Sequence, residues 1–415
     1  MVITIKISYN NIFTTKKGIK MILEQLRAYQ INYLEIFDFE YKRYLHDIVD
    51  FDEKLIGIVG ARGVGKTTFL LQYLAEHSLP MGKKLYFSAD ALDMESLFDI
   101  AYEFHKVGGE LLIIDEIHKY KHFEKELKKI YDMLKLQVVF SGSSALQLDH
   151  SKGDLSRRAR LYSMKGLSFK EFIEIKKSIK LPSFSLDEIV ENHTQIAQGL
   201  LKEIKPYEYW KEYLTYGHYP FYFQNPKSYP LRLKETINTV IEVDIPSIFP
   251  IEYDKIINLK KLVRLVCESQ PFQVNIRELS GHIGIKDYQT LYRYLEYLKR
   301  GKILNLIRSK SKGDTIFTKP QKLYLGNTNL HYAYCKNAHI GTIREVFLMS
   351  MIDEELLEVP SKGDFRVDEK YLFEIGGKNK GFKQIKDIPN SYVIADDIEI
   401  GFGNKIPLWL FGFLY

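Results

Sequence analysis

Apolar positions along the chain fall into a few recognisable rhythms. The β-branched run LIGIVG (residues 55–60) predicts a buried strand, and after a glycine-rich interruption KTTFLLQYL takes up the spacing of an amphipathic helix. Leu111–Ile114 is continuously apolar, as expected of a central parallel strand covered on both faces, and it ends in Asp115-Glu116. A third strand is expected over Leu136–Ser144, ending in small hydroxyl residues. Ahead of these, MILEQLRAYQINYLE predicts a helix on the flank of the core. Further on, Ile276 and Leu279 precede Ile283; after Asp287, which suits a helix cap, Leu291, Leu295 and Leu298 keep helical spacing. This is a helix-turn-helix rhythm. In the last hundred residues, strand and helix runs alternate as in a small α/β domain. GTIREVFLMSMI predicts a helix carrying Glu345, KGDFRVDEKYLFEIGG a hairpin, and GFKQIKDI a further helix.

The length of 415 residues allows about three domains, and 45% hydrophobic with 27% charged residues is the balance of a globular protein. A net charge of +6 permits nucleic-acid binding without arguing for it. The 29 tyrosines are scattered rather than interleaved with basic residues, which assigns most of them to core and interfaces. Cys267 and Cys335 make neither a disulfide framework nor a four-ligand zinc site; they read as reduced thiols and favour the cytoplasm. His118 and His122 show no metal spacing with cysteine. No apolar run approaches the ~20 residues that span a bilayer, so secretion and membrane insertion are not expected. Met21 offers an alternative start.

Between the first strand and its helix, Gly60-Ala61-Arg62-Gly63-Val64-Gly65-Lys66-Thr67 fits the phosphate-binding loop without mismatch, and Thr68 continues it. Glycines let successive backbone N–H groups turn inward around a β-phosphate, and the helix N-terminus adds partial positive charge. Lys66 would bridge β- and γ-phosphates, and Thr67 would ligate Mg²⁺. At the end of the second strand Asp115 would hold Mg²⁺ through water and Glu116 would polarise the attacking water of ATP hydrolysis. Ser143 is the choice for reading the γ-phosphate, against the alternative of a plain serine turn. Arg157, Arg158 and Arg160 cluster after a Gly-Asp turn, either as a solvated basic turn or as arginines delivered to a neighbouring subunit's nucleotide.

The stretches VGARGVGKTTFLLQYL, LLIIDEIHKYKHFEKELKKIYD, VVFSGSSALQL and DLSRRARLYSMKGLSFKEF resemble the AAA+ ATPases. The group they resemble is prokaryotic, and in it this core precedes a winged helix and a C-terminal restriction-endonuclease-like domain of unknown function. The resemblance implies an α/β fold with a parallel-sheet P-loop core, a helical lid, a winged helix-turn-helix and a small nuclease-like domain. Laid on this chain, the parts are a flanking segment 1–50, the core 51–165, the lid 166–255, the winged helix 256–318 and the C-terminal domain 319–415. It also implies Ser143 as sensor and Arg158 as arginine finger, with Arg157 as alternative because the family's Gly-Arg pair is here Arg157-Arg158. Arg232 is the only local candidate for a second sensor.

On the second helix of the helix-turn-helix, Gln289, Tyr292 and Arg293 lie off the apolar stripe and could enter a DNA groove, while the basic run 308–322 would form the wing. Asp287 and Glu296 oppose that, and winged helices also serve as packing modules. In the C-terminal domain, the nuclease fold requires an Asp on one strand and Glu-x-Lys on the next, two residues apart so that both side chains share a face. Asp364 and Glu374 supply the acids, with Glu345 as a possible third. Gly376 and Gly377 stand where the lysine belongs, and Lys378 is displaced. The reading is an Mg²⁺-dependent ATPase whose cofactors are ATP and Mg²⁺. Its conformational switch would act on nucleic acid or a protein partner, with a homo-oligomer and double-stranded DNA through the winged helix as further candidate partners and no membrane role. The alternatives are a nucleotide-gated DNA-binding regulator with little hydrolysis and an ATP-controlled nuclease.

Overall fold

In the computed structural model of the chain, the described residues are 21–37, 40–91, 96–143, 155, 157–268, 272–273, 275–308 and 320–415. The chain divides into two compact units, Met1–Met164 and Lys165–Tyr415.

The first unit opens with helix α1 (residues 21–36), the flanking helix expected from the sequence. It continues through β1 (Leu55–Gly60), α2 (Lys66–Glu76), β2 (Lys84–Ser88), α3 (Leu97–Lys106), β3 (Leu111–Asp115), α4 (Phe123–Met133), β4 (Gln137–Ser143) and β5 (Arg160–Met164). The five strands form a parallel sheet in the order β2-β3-β4-β1-β5. Every residue of β3 is buried, which is why its sequence reads as one apolar run. Because β4 crosses in between, β1 and β3 carry their C-terminal residues to either side of it. Gln30 on α1 accepts a hydrogen bond from the Tyr86 N–H at 2.8 Å, which satisfies a backbone donor on the edge strand β2. Ser144 lies outside the described residues.

The second unit begins with a helical array: α5 (Phe169–Lys177), α6 (Leu186–Leu200), α7 (Pro206–Tyr216), α8 (Phe221–Gln224), α9 (Tyr229–Thr239) and α10 (Ile245–Ile248), the last two joined by a π-helical turn over Val240–Asp244. Ser168 and Ser185 start α5 and α6 with reciprocal capping boxes, to Glu171 and Glu188. Next come α11 (Ile256–Glu268), β6 (Phe272–Gln273), α12 (Ile276–Ile283), α13 (Tyr288–Arg300), β7 (Leu304–Ile307) and β8 (Lys322–Leu325), with the strands antiparallel in the order β6-β8-β7. Asp287 caps α13 as its side chain suggested, accepting from the N–H groups of Gln289 and Thr290. Of the basic run 308–322, residues 309–319 lie outside the described residues.

After α14 (Thr328–Tyr334) and α15 (Ile340–Met351) come five short strands, β9 (Leu357–Glu358), β10 (Phe365–Val367), β11 (Tyr371–Gly376), β12 (Ser391–Ala395) and β13 (Lys405–Pro407), followed by a buried 3-10 helix over Leu408–Phe413. Their order is β13-β12-β11-β10-β9, with β10 and β11 the expected antiparallel hairpin and β12 and β13 parallel to β11. The helix expected at GFKQIKDI is absent: Ile385 N–H bonds to Phe382 O at 3.0 Å and Ile388 N–H to Ile385 O at 3.1 Å, so the stretch is a series of tight turns. Gly381 weakens the start of the stretch, and Pro389 turns Ile388 away from the helical region at its end.

The reading of the two cysteines also needs correction. Cys267, at the end of α11, and Cys335, just after α14, are joined by a disulfide across 68 positions, with their Cα atoms 5.0 Å apart. Their partnership comes from the packing of two helices remote in sequence, which spacing alone does not reveal. On α14, Asn329 is fully buried: it accepts from His218 N at 2.8 Å and from the Tyr229 hydroxyl, and donates to the carbonyls of Tyr213 and Leu214 at 3.2 and 2.9 Å. The segments expected as lid, winged helix and C-terminal domain thus share one packed unit. Among the described residues no helix is long and apolar enough to cross a membrane.

Candidate functional site

The loop between β1 and α2 is built for close approach of its backbone to a ligand. Gly60, the last residue of β1, pairs with Ser143 on β4 and Met164 on β5, and a Cβ on it would lie 2.5 Å from the Met164 carbonyl oxygen. Gly63 and Gly65 take φ values of +84° and +104°, which favour glycine over any side chain. Ala61 is half-buried, Arg62 exposed and Val64 buried, with the Val64 carbonyl accepting from Arg43 Nη1 at 2.7 Å. Lys66 begins α2; its buried ammonium donates to the carbonyls of Gly60 and Ala61 at 3.0 and 3.1 Å. The N–H groups of the first turn, from Lys66 to Thr68, have no i−4 carbonyl within the helix, the arrangement by which a helix N-terminus meets an anion.

Opposite the loop, the β3 terminus presents a saturated carboxylate. Asp115 Oδ2 accepts from Thr67 Oγ1 at 2.6 Å and from the Tyr86 hydroxyl at 3.1 Å. Its Oδ1 accepts from Ser141 Oγ and from Glu116 N, the latter at 3.0 Å. Burial, and after it the Asp115 carboxylate, push the Tyr86 phenol well above its ordinary pKa, so it stays a donor. Glu116 follows with φ +52° and ψ +40°, an unusual backbone for a residue with a side chain. Its N–H is shared with Ser141 Oγ at 3.0 Å. His118 Nε2 lies 3.4 Å from Glu116 Oε2, and His118 Nδ1 accepts from Ser143 N at 3.3 Å.

The structure therefore brings Lys66, Thr67, Asp115, Glu116 and Ser143 to one end of the first unit's sheet. Sequence reasoning missed four contributors, Arg43, Tyr86, His118 and Ser141. The donor set fits the expected cofactor: a hydroxyl and a carboxylate 2.6 Å apart are hard oxygen ligands for Mg²⁺, beside a cationic, N–H-lined loop for phosphate.

The arginines are placed differently from one another. Arg158 makes a bidentate pair with Asp132, Nε to Oδ1 at 2.8 Å and Nη2 to Oδ2 at 3.1 Å, so it is committed within its own chain. Arg157 is exposed, and so is Arg160 at the start of β5. Arg232, in the second unit, donates to Gln224 Oε1 at 3.2 Å.

The second unit gathers the other carboxylates around lysines. Lys322 Nζ stands 3.6 Å from Glu345 Oε2 and 3.7 Å from Asp364 Oδ1. Glu345 also accepts from the Tyr324 hydroxyl; burial comes first among the causes that raise its pKa, with Lys322 opposing. Asp364 Oδ2 accepts from Ile375 N at 2.7 Å. Glu374, almost wholly buried, is ion-paired with Lys380, and Gln384 donates its amide to Glu374 Oε2 at 3.0 Å. The displaced lysine has returned, but it is Lys380, not Lys378. The turn closed by Lys380 N on Gly377 O at 2.9 Å folds the Lys380 stem over Gly376, where a Cβ would be 2.6 Å away. At Lys378 the backbone carbonyl accepts from Lys405 Nζ at 2.6 Å. Among the described residues no group of three or more His, Cys, Asp or Glu side chains is arranged to hold a metal.

With this geometry in hand, known proteins give the frame. Residues 52–173 match the AAA domain family. Residues 207–338 match a domain family of unknown function. The uncharacterized protein MJ1637 of Methanocaldococcus jannaschii is 26% identical over 336 residues, covering 73% of this chain and 70% of its own. AMPPCP-bound DnaA from Aquifex aeolicus is 20% identical, with 60% of this chain and 82% of that chain covered and a TM-score of 0.24. A katanin structure is 19% identical with a TM-score of 0.24; 32% of this chain is covered, and the match spans about half, 48%, of the katanin chain. At these scores the structural likenesses carry no argument, and the case rests on the AAA match and the site itself.

Proposed function

We propose that the protein is an Mg²⁺-dependent ATPase of AAA+ type, in which Lys66 and the loop N–H groups hold the phosphates. Thr67 and Asp115 would hold Mg²⁺, which supplies charge neutralisation at the β- and γ-phosphate oxygens. Glu116 is the group that orients and polarises the attacking water, and Ser143 lies at the strand end where a γ-phosphate would be read. The observation that carries the reading is the 2.6 Å bond from Thr67 to Asp115, which brings the helix after the loop and the acidic strand end together at the point where the metal is needed.

Among the arginines, Arg157 is the better candidate to serve a neighbouring subunit, since Arg158 is held by Asp132. The output is a conformational switch on nucleic acid or a protein partner. The winged-helix reading of α11 to β8 offers exposed Gln289 and Arg293 as its nucleic-acid face. Nuclease activity is not part of the proposal, because Lys322 and Lys380 already neutralise the carboxylates a metal would need. Glu116→Gln tests the assignment: it is expected to bind Mg-ATP like wild type while hydrolysing it at least ~100-fold more slowly. Wild-type turnover by that variant would remove Glu116 from the role.

A further inference from the structure

Glu116 has a backbone that the site must hold in place and a side chain that a water-activating group must keep aimed. Its N–H is held by Asp115 and Ser141. The carboxylate has a buried neighbour, His118, whose side chain is 2% exposed against 27% for Glu116. The tautomer follows from the other side of the ring: His118 Nδ1 accepts from the Ser143 N–H at 3.3 Å, so in neutral imidazole the proton sits on Nε2, which stands 3.4 Å from Glu116 Oε2, an electrostatic contact that a small rotation of the carboxylate turns into a hydrogen bond.

We propose that His118 is a positioning residue for hydrolysis, bridging the end of β4 at Ser143 to the Glu116 carboxylate. This rests on the ATPase reading and deepens it. Ser143 pairs with Gly60, the first residue of the phosphate loop, so the bridge runs from the loop's edge through β4 and the imidazole to the water-orienting carboxylate. A ligand-induced shift of the β4 end is thereby transmitted to Glu116 without any change in who binds the phosphates. The contacts argued for His118 run to the Ser143 N–H and the Glu116 carboxylate, on the water-orienting side of the site. Its loss should therefore fall on turnover and not on affinity.

The test compares His118→Leu, which keeps volume and removes both nitrogens, with His118→Gln, which keeps an amide donor, in the full chain with Mg-ATP. Melting temperature is measured alongside. His118→Leu is expected to lower kcat by about tenfold or more with KM within about twofold, since orienting a general base accounts for part of its ~10² to 10⁴ contribution. His118→Gln should stay within about threefold of wild type. Should His118→Leu fail to fold, His118→Asn takes its place: its amide can still meet Ser143 but stops short of Glu116, and the same loss is expected. Wild-type or faster turnover in the variant lacking the Glu116 contact overturns the inference, and so does an equal loss in His118→Gln. Glu116→Gln, run in parallel, separates the failures. If it matches wild type, the ATPase reading falls and this inference with it; if it is slow while His118→Leu is not, only the inference falls.

Discussion

Ser141→Ala removes a single oxygen on which two elements of the site depend. Ser141 Oγ donates to Asp115 Oδ1 and accepts from Glu116 N at 3.0 Å, fully buried on β4. A hydrogen bond to a charged partner contributes ~1.5 to 3 kcal/mol, and a residue held at positive φ costs about 1 kcal/mol that its surroundings must offset. Removing the hydroxyl takes one acceptor from the Glu116 N–H, which keeps Asp115 Oδ1, so the strained backbone loses an anchor. The loss expected is about 1.5 to 3 kcal/mol in the first unit's stability. If about 1.5 to 2 kcal/mol of that appears as lost transition-state positioning, kcat falls roughly 10- to 30-fold, at 1.4 kcal/mol per tenfold. Urea unfolding and steady-state phosphate release on the same preparation read the two numbers, with Mg-ATP affinity expected within about twofold of wild type. A stability loss accompanied by unchanged kcat would show that the hydroxyl only packs the strand. Loss of ATP binding instead would show that the hydroxyl acts through the metal-holding role of Asp115 and not through Glu116.

Other consequences concern the second unit. Asn329→Ala takes the shared acceptor from two buried donors, His218 N–H and the Tyr229 hydroxyl, and the amide donor from the Leu214 and Tyr213 carbonyls, of which Tyr213 keeps the Gly217 N–H; it should destabilise the fold by about 3 kcal/mol in a denaturant titration. Reducing the Cys267–Cys335 bridge, or replacing Cys267 by Ser, should cost up to about 4 kcal/mol for a 68-residue loop, read as a lower melting temperature than that of the oxidised chain. Burial lowers the His331 pKa from 6.5 to about 4, so the neutral ring is the folded form. Stability is then complete above pH 6.5 and falls toward pH 4 by about 3 kcal/mol as the unfolded chain takes up the proton first; His331→Leu should flatten that slope in unfolding curves recorded across the window. Lys380→Ala leaves Glu374 buried without its cation and should destabilise by about 3 kcal/mol or more, whereas added Mg²⁺ should not restore the loss if the lysine, not a metal, is the counter-ion.

The phosphate loop was legible because its chemistry is local: glycines at fixed offsets, a lysine and a threonine opening a helix. Asp115-Glu116 was legible because a fully buried strand betrays its own end. Ser141, Tyr86 and His118 were not, since their roles exist only once the sheet order sets β4 and β2 on either side of β3. FSGSS offers competing serines, and the paired register, with Ile114 opposite Phe140, is what brings Ser141 level with Asp115 and carries Ser143 beyond it. The two glycines after Glu374 made continuation of the strand doubtful, as their conformational freedom suggests, yet no spacing rule foretold that the following turn would lay Lys380 back over Gly376. The disulfide and the Asn329 network are products of helix packing over long separations and leave no mark on local pattern.

The central claim is that this loop and strand end hydrolyse ATP, and phosphate release from Mg-ATP by the wild-type chain beside Lys66→Ala measures it most directly. Steady release by wild type and none above background by Lys66→Ala is the predicted result; equal release by both would contradict the account.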